Sequence, residues 1–172
     1  MESDSEHEGL SSKQKGNILE KRFIELASLG SNGGLSCYTP DSDDDGIDII
    51  VNQKGLFRPL FIQVKSRFKK NKNGFFSQDI RVSTFKSDKR FYICFFLYCV
   101  EKYDLSTIWL VPSTDFEEKA IVVHSIPSKQ TLRFAANPRD TSVDQWSQYK
   151  VKKEEVGQKL LSIIGSIYPD IV

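Results

Sequence analysis

Four residues in chain order, Glu20, Asp48, Gln63 and Lys65, bring two carboxylates, an amide oxygen and an ammonium to spacings that can converge. Hard oxygen donors hold Mg²⁺, which keeps several waters and takes the rest of its shell from one or two carboxylates and a substrate phosphate. A lysine beside such a cation can orient or deprotonate an attacking water and balance charge building on phosphorus. These residue types point to work on a phosphate ester. Singly they are unspecific: Glu20 could sit at a stripe's edge beside Lys21 or Arg22, and a lone QxK occurs by chance on exposed strands.

The elements that must position them follow from periodicity. Ser11 and Gln14 fit a capping box and Gly30 a C-terminal cap, which predicts a helix over about residues 11–29. Leu19, Phe23, Leu26 and Ala27 form its apolar stripe. Glu20 shares an i, i+3, i+4, i+7 row with Phe23, Ile24 and Ala27, so it leans toward the core. A short strand at 35–39 precedes the loop "PDSDDDG"; a strand at 47–51 follows and ends in the turn "NQKG", and another runs over 59–66. In "PLFIQVKS", Ile62 and Val64 face one way while Gln63 and Lys65 face the other. Asp48 lies opposite Ile47 and Ile49, so a hairpin of these strands gathers Asp48, Gln63 and Lys65 on one side. Asp41 and Asp43 read as a solvated turn, Asp45 as a neighbour of the site, and Gly46 as the residue permitting tight entry into the strand.

With a helix glutamate, then the aspartate of "GID", then a strand carrying "IQVKS", the chain resembles the PD-(D/E)xK nuclease superfamily, in the variant with QxK in place of (D/E)xK. It is similar to Holliday-junction resolvases, to restriction-type nucleases that recognise modified DNA, and more so to small bacterial nuclease-like proteins. The last share a later aromatic strand and a tryptophan before the final helix, as in "DQWSQYKV". The likeness covers roughly residues 12–112 well and the remainder loosely. It implies a restriction endonuclease-like α/β fold, a mixed β-sheet flanked by helices, and hydrolysis of DNA with Mg²⁺ or Mn²⁺. Carried onto this chain, it implies that Asp48 is the principal metal carboxylate, that Gln63 ligates through its side-chain oxygen, and that the backbone carbonyl of Val64 completes the protein's share. Lys65 would position or activate the water, and Glu20 would hold a second metal or order the water shell. Gln63 departs from the family's carboxylate, and a neutral amide there weakens the hold on Mg²⁺.

Beyond the third strand, "SRFKKNKNG" places Ser66, Arg67, Lys69, Lys70 and Lys72 where they can contact DNA phosphates, each cationic contact adding to the salt dependence of binding. A solvated charge run is the alternative. Lys86, Lys89 and Arg90 are weaker candidates of the same kind. "FYICFFLYCV" reads as a central strand covered on both faces, since it lacks the basic interleaving of a platform for single-stranded nucleic acid. "TIWLVPS" and "KAIVVHSI" read as strands; His124, near the end of the second, reads as structural, and His7 lies in the tail. From about residue 141 the pattern turns helical, with Val156, Leu160, Leu161, Ile163, Ile164 and Ile167 on a broad apolar face, and with Trp146 and Tyr149 packing this segment on the sheet. A face that wide also suits a homodimer, which the resemblance implies because related nucleases pair two active sites.

A chain of 172 residues with 39% hydrophobic content closes one sizeable core. The expected organisation is an acidic flexible tail over 1–10 and one nuclease-like domain over 11–172, with its core at 12–112 and a C-terminal extension at 113–172. A net charge of +1 gives no global field, so binding to DNA must come from a local basic patch. Cys37, Cys94 and Cys99 make no CxxC pair and read as reduced thiols, which suits a cytoplasmic location. The acidic start is unlike a signal peptide and no apolar run reaches the ~18 residues of a membrane span, so no membrane partner is expected. No base-reading element is visible, which predicts weak sequence preference. Two other classes remain open: a nuclease-like module that binds DNA or protein without turnover, and an oligomerisation domain resting on the C-terminal helix.

Overall fold

The computed structural model describes residues 9–42, 45–124 and 129–169; most of the acidic tail, at 1–8, and Asp43 and Asp44 of the loop lie outside the described residues. Helix α1 (Ser12–Gly30) begins where its caps predict. Gln14 N–H donates to Ser11 Oγ and Ser11 N–H donates to Gln14 Oε1, a reciprocal capping box. Leu19, Phe23, Leu26 and Ala27 form its buried face. Gly30 is the last helical residue instead of the cap, and the C-terminal helix crosses it so closely that a Cβ there would lie 2.8 Å from Gly157 N. The chain leaves the helix through Ser31, then Asn32 at φ 50 and Gly33 at φ 74.

The strands are β1 (Leu35–Tyr38), β2 (Ile49–Gln53), β3 (Pro59–Arg67), β4 (Phe76–Arg81), β5 (Phe91–Cys99), β6 (Asp104–Pro112), β7 (Ile121–His124) and β8 (Gln130–Ala136). A five-stranded sheet runs β1-β2-β3-β5-β6, with β3 and β5 parallel and its other pairs antiparallel. A smaller antiparallel sheet runs β4-β8-β7. Helix α2 (Ser113–Lys119) follows β6, and α3 (Val156–Ile167) ends the described fold. This is the mixed α/β architecture expected, with one difference in its layers. Helices α1 and α3 cover one face of the large sheet, where Ile62, Val64, Cys94, Phe96 and Leu110 are buried. The opposite face packs on the small sheet and α2 through Ile93, Phe95, Trp109, Phe116 and Phe134, with Phe95 and Phe134 stacked at 3.9 Å. β5 therefore feeds alternate side chains to two cores, as its unbroken apolar run predicts.

The C-terminal third departs most from its reading. Residues 141–155 are irregular with two short 3₁₀ turns, and α3 starts only at Val156. Asp144 holds the irregular path by accepting from the N–H groups of Asn137 and Trp146. Trp146 is buried on the small-sheet side, away from α3, and Tyr149 donates to Asp115 Oδ2. The apolar face of α3 is spent inside the chain: Val156, Leu160, Ile163 and Ile164 are buried against α1 and the large sheet, with Leu161 and Ile167 at their margin. The three cysteines are unpaired, and burial pushes the Cys37 thiol up to about 11. Among the described residues no helix is long and apolar enough to cross a membrane.

Candidate active site

The geometry starts at the turn before β2. Gly46, at φ 66, lets the chain double back so that Asp48 continues the β2–β3 ladder one residue beyond the named strand, its N–H donating to Ile62 O at 2.9 Å. The Asp48 carboxylate then accepts the Val64 N–H on Oδ2 at 2.6 Å. A strand residue sends its N–H and C=O to the same side. The Val64 carbonyl is thereby directed past the end of β2, toward Asp48.

Asp48, Val64, Lys65 and Glu20 all line one open cleft of about 1230 Å³ between α1 and the end of β3. Gln63 is not on that lining. Alternation puts it on the same sheet face as Lys65, but it is only 6% exposed and sits under the Gly46 turn, where a Cβ on Gly46 would come within 3.1 Å of Gln63 Nε2. The tightness of that contact gives Gly46 a second constraint besides its φ.

Ser66, Arg67, Lys69 and Lys70 also line the cleft, whereas Lys72 does not. Arg67 is fixed by donation from Nε to Ser77 O at 3.1 Å. Of the weaker basic candidates, Lys86, Lys89 and Arg90, none lines the cleft; Lys86 pairs with Asp45, and Arg90 pairs with Asp88 at 3.1 Å while lying over the Phe61 ring. That guanidinium holds the Asp88 carboxyl below the usual carboxylate range. His124 ends the exposed β7, off the cleft lining.

The far wall of the cleft belongs to a polar face of α1 that its apolar stripe does not announce. Lys13, Gly16 and Asn17 join Glu20 on the cleft, and these four follow i, i+3, i+4, i+7 along one face of α1. Lys15 lines it too, with Nζ 5.3 Å from the Phe68 ring centroid, so the helix wall reaches over to the loop after β3. The signal was present as a polar row beside the apolar one. Six cationic side chains (Lys13, Lys15, Lys65, Arg67, Lys69, Lys70) face three carboxylates (Glu20, Asp41, Asp48) among the described residues. The cleft is a cationic trough with an acidic spot at Asp48.

Among the described residues no group of three His, Cys, Asp or Glu side chains is placed to hold a metal ion. The donor chemistry is nevertheless of the right class for a hard cation: the carboxylate-bearing Glu20 and Asp48 line the cleft together with Val64, whose main chain adds a carbonyl oxygen. The bond from Val64 occupies part of the Asp48 carboxylate's acceptor capacity and fixes its orientation.

No protein-family model matches the chain, and no curated protein matches it. Among solved structures it is similar to a bacterial homing endonuclease, at 20% identity over 91% of this chain and 96% of that chain, with a TM-score of 0.63. At that identity the likeness is one of fold. The chain has a nuclease-like α/β fold.

Proposed function

We propose that this protein is a metal-dependent DNA endonuclease of the PD-(D/E)xK type, in its QxK variant. The observation that carries the reading is the convergence of Asp48, the Val64 main chain, Lys65 and Glu20 in a trough walled, among the described residues, by six cations. The structural likeness to an endonuclease supports it. Asp48, the Val64 carbonyl and Glu20 would hold Mg²⁺ or Mn²⁺, which when bound supplies Lewis-acid stabilisation of charge on the phosphate and lowers the pKa of a bound water. Arg67, Lys69 and Lys70, with Ser66, would seat the DNA backbone. Lys65 would orient the water in line with the scissile P–O bond and balance charge on the phosphoryl oxygens as that bond breaks. Gln63, packed under the Gly46 turn, would act by holding that turn against β3 and so setting the approach of Asp48. Cutting two strands would take two such sites, and a homodimer would have to form through a surface other than the buried face of α3.

A second reading has its own observation. Gln63 lies off the cleft, and among the described residues no group of three His, Cys, Asp or Glu side chains is placed to hold a metal, which favours a module that binds DNA without cutting it. The deciding experiment incubates supercoiled plasmid, linear duplex, single strand and four-way junction with Mg²⁺ or Mn²⁺, comparing wild type with Asp48→Asn and Lys65→Ala. Metal-dependent cutting that both substitutions abolish is the expected result. Salt-sensitive binding without cutting on any substrate would overturn the endonuclease and leave the binding module.

A further inference from the structure

We infer that the α1 wall of the cleft is a track for the sugar–phosphate backbone of the strand being cut, with Gly16 as its point of closest approach and Lys13 and Asn17 as flanking contacts. The inference rests on the reading of the cleft as a DNA site and adds to it where the strand runs.

Gly16 is the anomaly that leads there. It stands five residues into a nineteen-residue helix, where glycine costs stability relative to alanine. Packing does not explain it. Beyond its two chain neighbours and the helix's own backbone, the nearest atom to a Cβ at Gly16 is Glu20 Oε1, 4.0 Å away at the end of a flexible side chain. Gly30 and Gly157 make the contrast: backbone atoms would meet a Cβ there at 2.8 Å and 2.2 Å, so the fold itself demands those glycines. Gly16 faces the cleft, and its missing side chain is cleft space. Bare backbone at one point of a ligand-lined helix permits another chain to approach closely.

The surroundings say what kind of chain. Lys13 stands one turn before Gly16, Asn17 is next to it, and Glu20 one turn after, all on the lining. Across the cleft lie Lys65, Arg67, Lys69 and Lys70. A ligand between these walls meets cations on both sides, an amide that can donate to phosphate or sugar oxygen, Glu20 and Asp48 at the proposed reaction centre, and Asp41 at the loop. A polyanionic strand of repeating phosphates fits that pattern, and phosphate contacts of this sort fix register without reading bases.

The test is fluorescence anisotropy with labelled random-sequence duplex and labelled single strand in EDTA, at a series of salt concentrations. Wild type is compared with Gly16→Ala, Gly16→Leu, Lys13→Ala and the control Lys21→Ala, which lies on α1 but off the cleft lining. Thermal melting is followed for each. Gly16→Ala and Gly16→Leu are expected to melt no lower than wild type, since both residues favour helix more than glycine does. Gly16→Leu is expected to weaken binding about tenfold or more on the 1.4 kcal/mol-per-decade scale. Lys13→Ala is expected to lower the slope of log affinity against log salt by about one, and Lys21→Ala to leave it unchanged. A Gly16→Leu protein that melts normally and binds as wild type would overturn the track while leaving the DNA site standing. Wild type with no salt-sensitive affinity for either probe would overturn the DNA reading and the track together.

Discussion

At the scale of the residue, Asp48 does two things at once. It accepts the Val64 N–H at 2.6 Å and presents its carboxylate to the cleft. The two roles separate by substitution. Asp48→Asn keeps an acceptor oxygen for Val64 and removes the charge, whereas Asp48→Ala leaves a half-buried amide without its acceptor, which costs about 1–3 kcal/mol. Urea denaturation is therefore expected to show Asp48→Ala less stable than Asp48→Asn by roughly that amount, while plasmid nicking is lost in both. Equal stability of the two variants would show that the Val64 bond contributes little. Asp48 and Lys65 were legible through strand alternation and a short hairpin, and Glu20 through the family resemblance added to its lean toward the core; the three line one cleft. Gln63 was only half legible: alternation fixes which face of a strand a side chain takes, but not what covers that face. Here the Gly46 turn covers it.

At the scale of the element, the position of α1 decides where Glu20 and the helix wall stand, and α1 is set by its crossing with α3. A Cβ on Gly157 would lie 2.2 Å from Ser31 N, 2.3 Å from Gly30 C and 2.7 Å from Ala27 O. These are backbone atoms that cannot rotate away, so Gly157→Ala must push the helices apart and is expected to cost about 3 kcal/mol, measured by urea denaturation. A loss under about 0.5 kcal/mol, the range of neutral surface changes, would contradict the crossing. The sequence announced α1, β3 and β5 clearly, since a capping box, a strict alternation and an unbroken apolar run each admit few readings. It hid β4, β8 and α2. "FSQDIR" buries only Phe76 and Ile80, and α2 has seven residues, too few for a periodic signal. The strand β8 does alternate, with Leu132, Phe134 and Ala136 inward, but small and polar neighbours blur it. Trp146 reads as packing the final helical segment on the sheet because the pattern turns helical from about residue 141. The chain in fact crosses the β6 edge between them, where Val151 N–H donates to Ile108 O, so the two lie on opposite faces of the sheet.

At the scale of the whole molecule, charge is sorted more than it is abundant. The chain carries a net +1, yet among the described residues six cations and three carboxylates line one cleft between α1 and β3. Other charges are consumed in pairs away from it: Asp104 holds both Arg22 and Lys153, Asp79 takes the Arg133 guanidinium through both oxygens, and Asp88 takes Arg90. A molecule so arranged has little long-range field to draw in a polyanion, and its attraction is felt at contact distance. Affinity for DNA should then follow counterion release from the cleft alone. With four to six phosphates neutralised, log affinity is expected to fall against log salt with a slope of roughly −4 to −5. Between about 50 and 200 mM salt that amounts to a loss of roughly a hundred- to a thousand-fold. The measurement is a salt series of equilibrium binding to one duplex, read by anisotropy. A slope near −1 would mean that the cations of the two walls do not share one strand. A slope in the expected range that drops by about one with each of Lys13→Ala and Lys70→Ala would show both walls gripping the same polyanion.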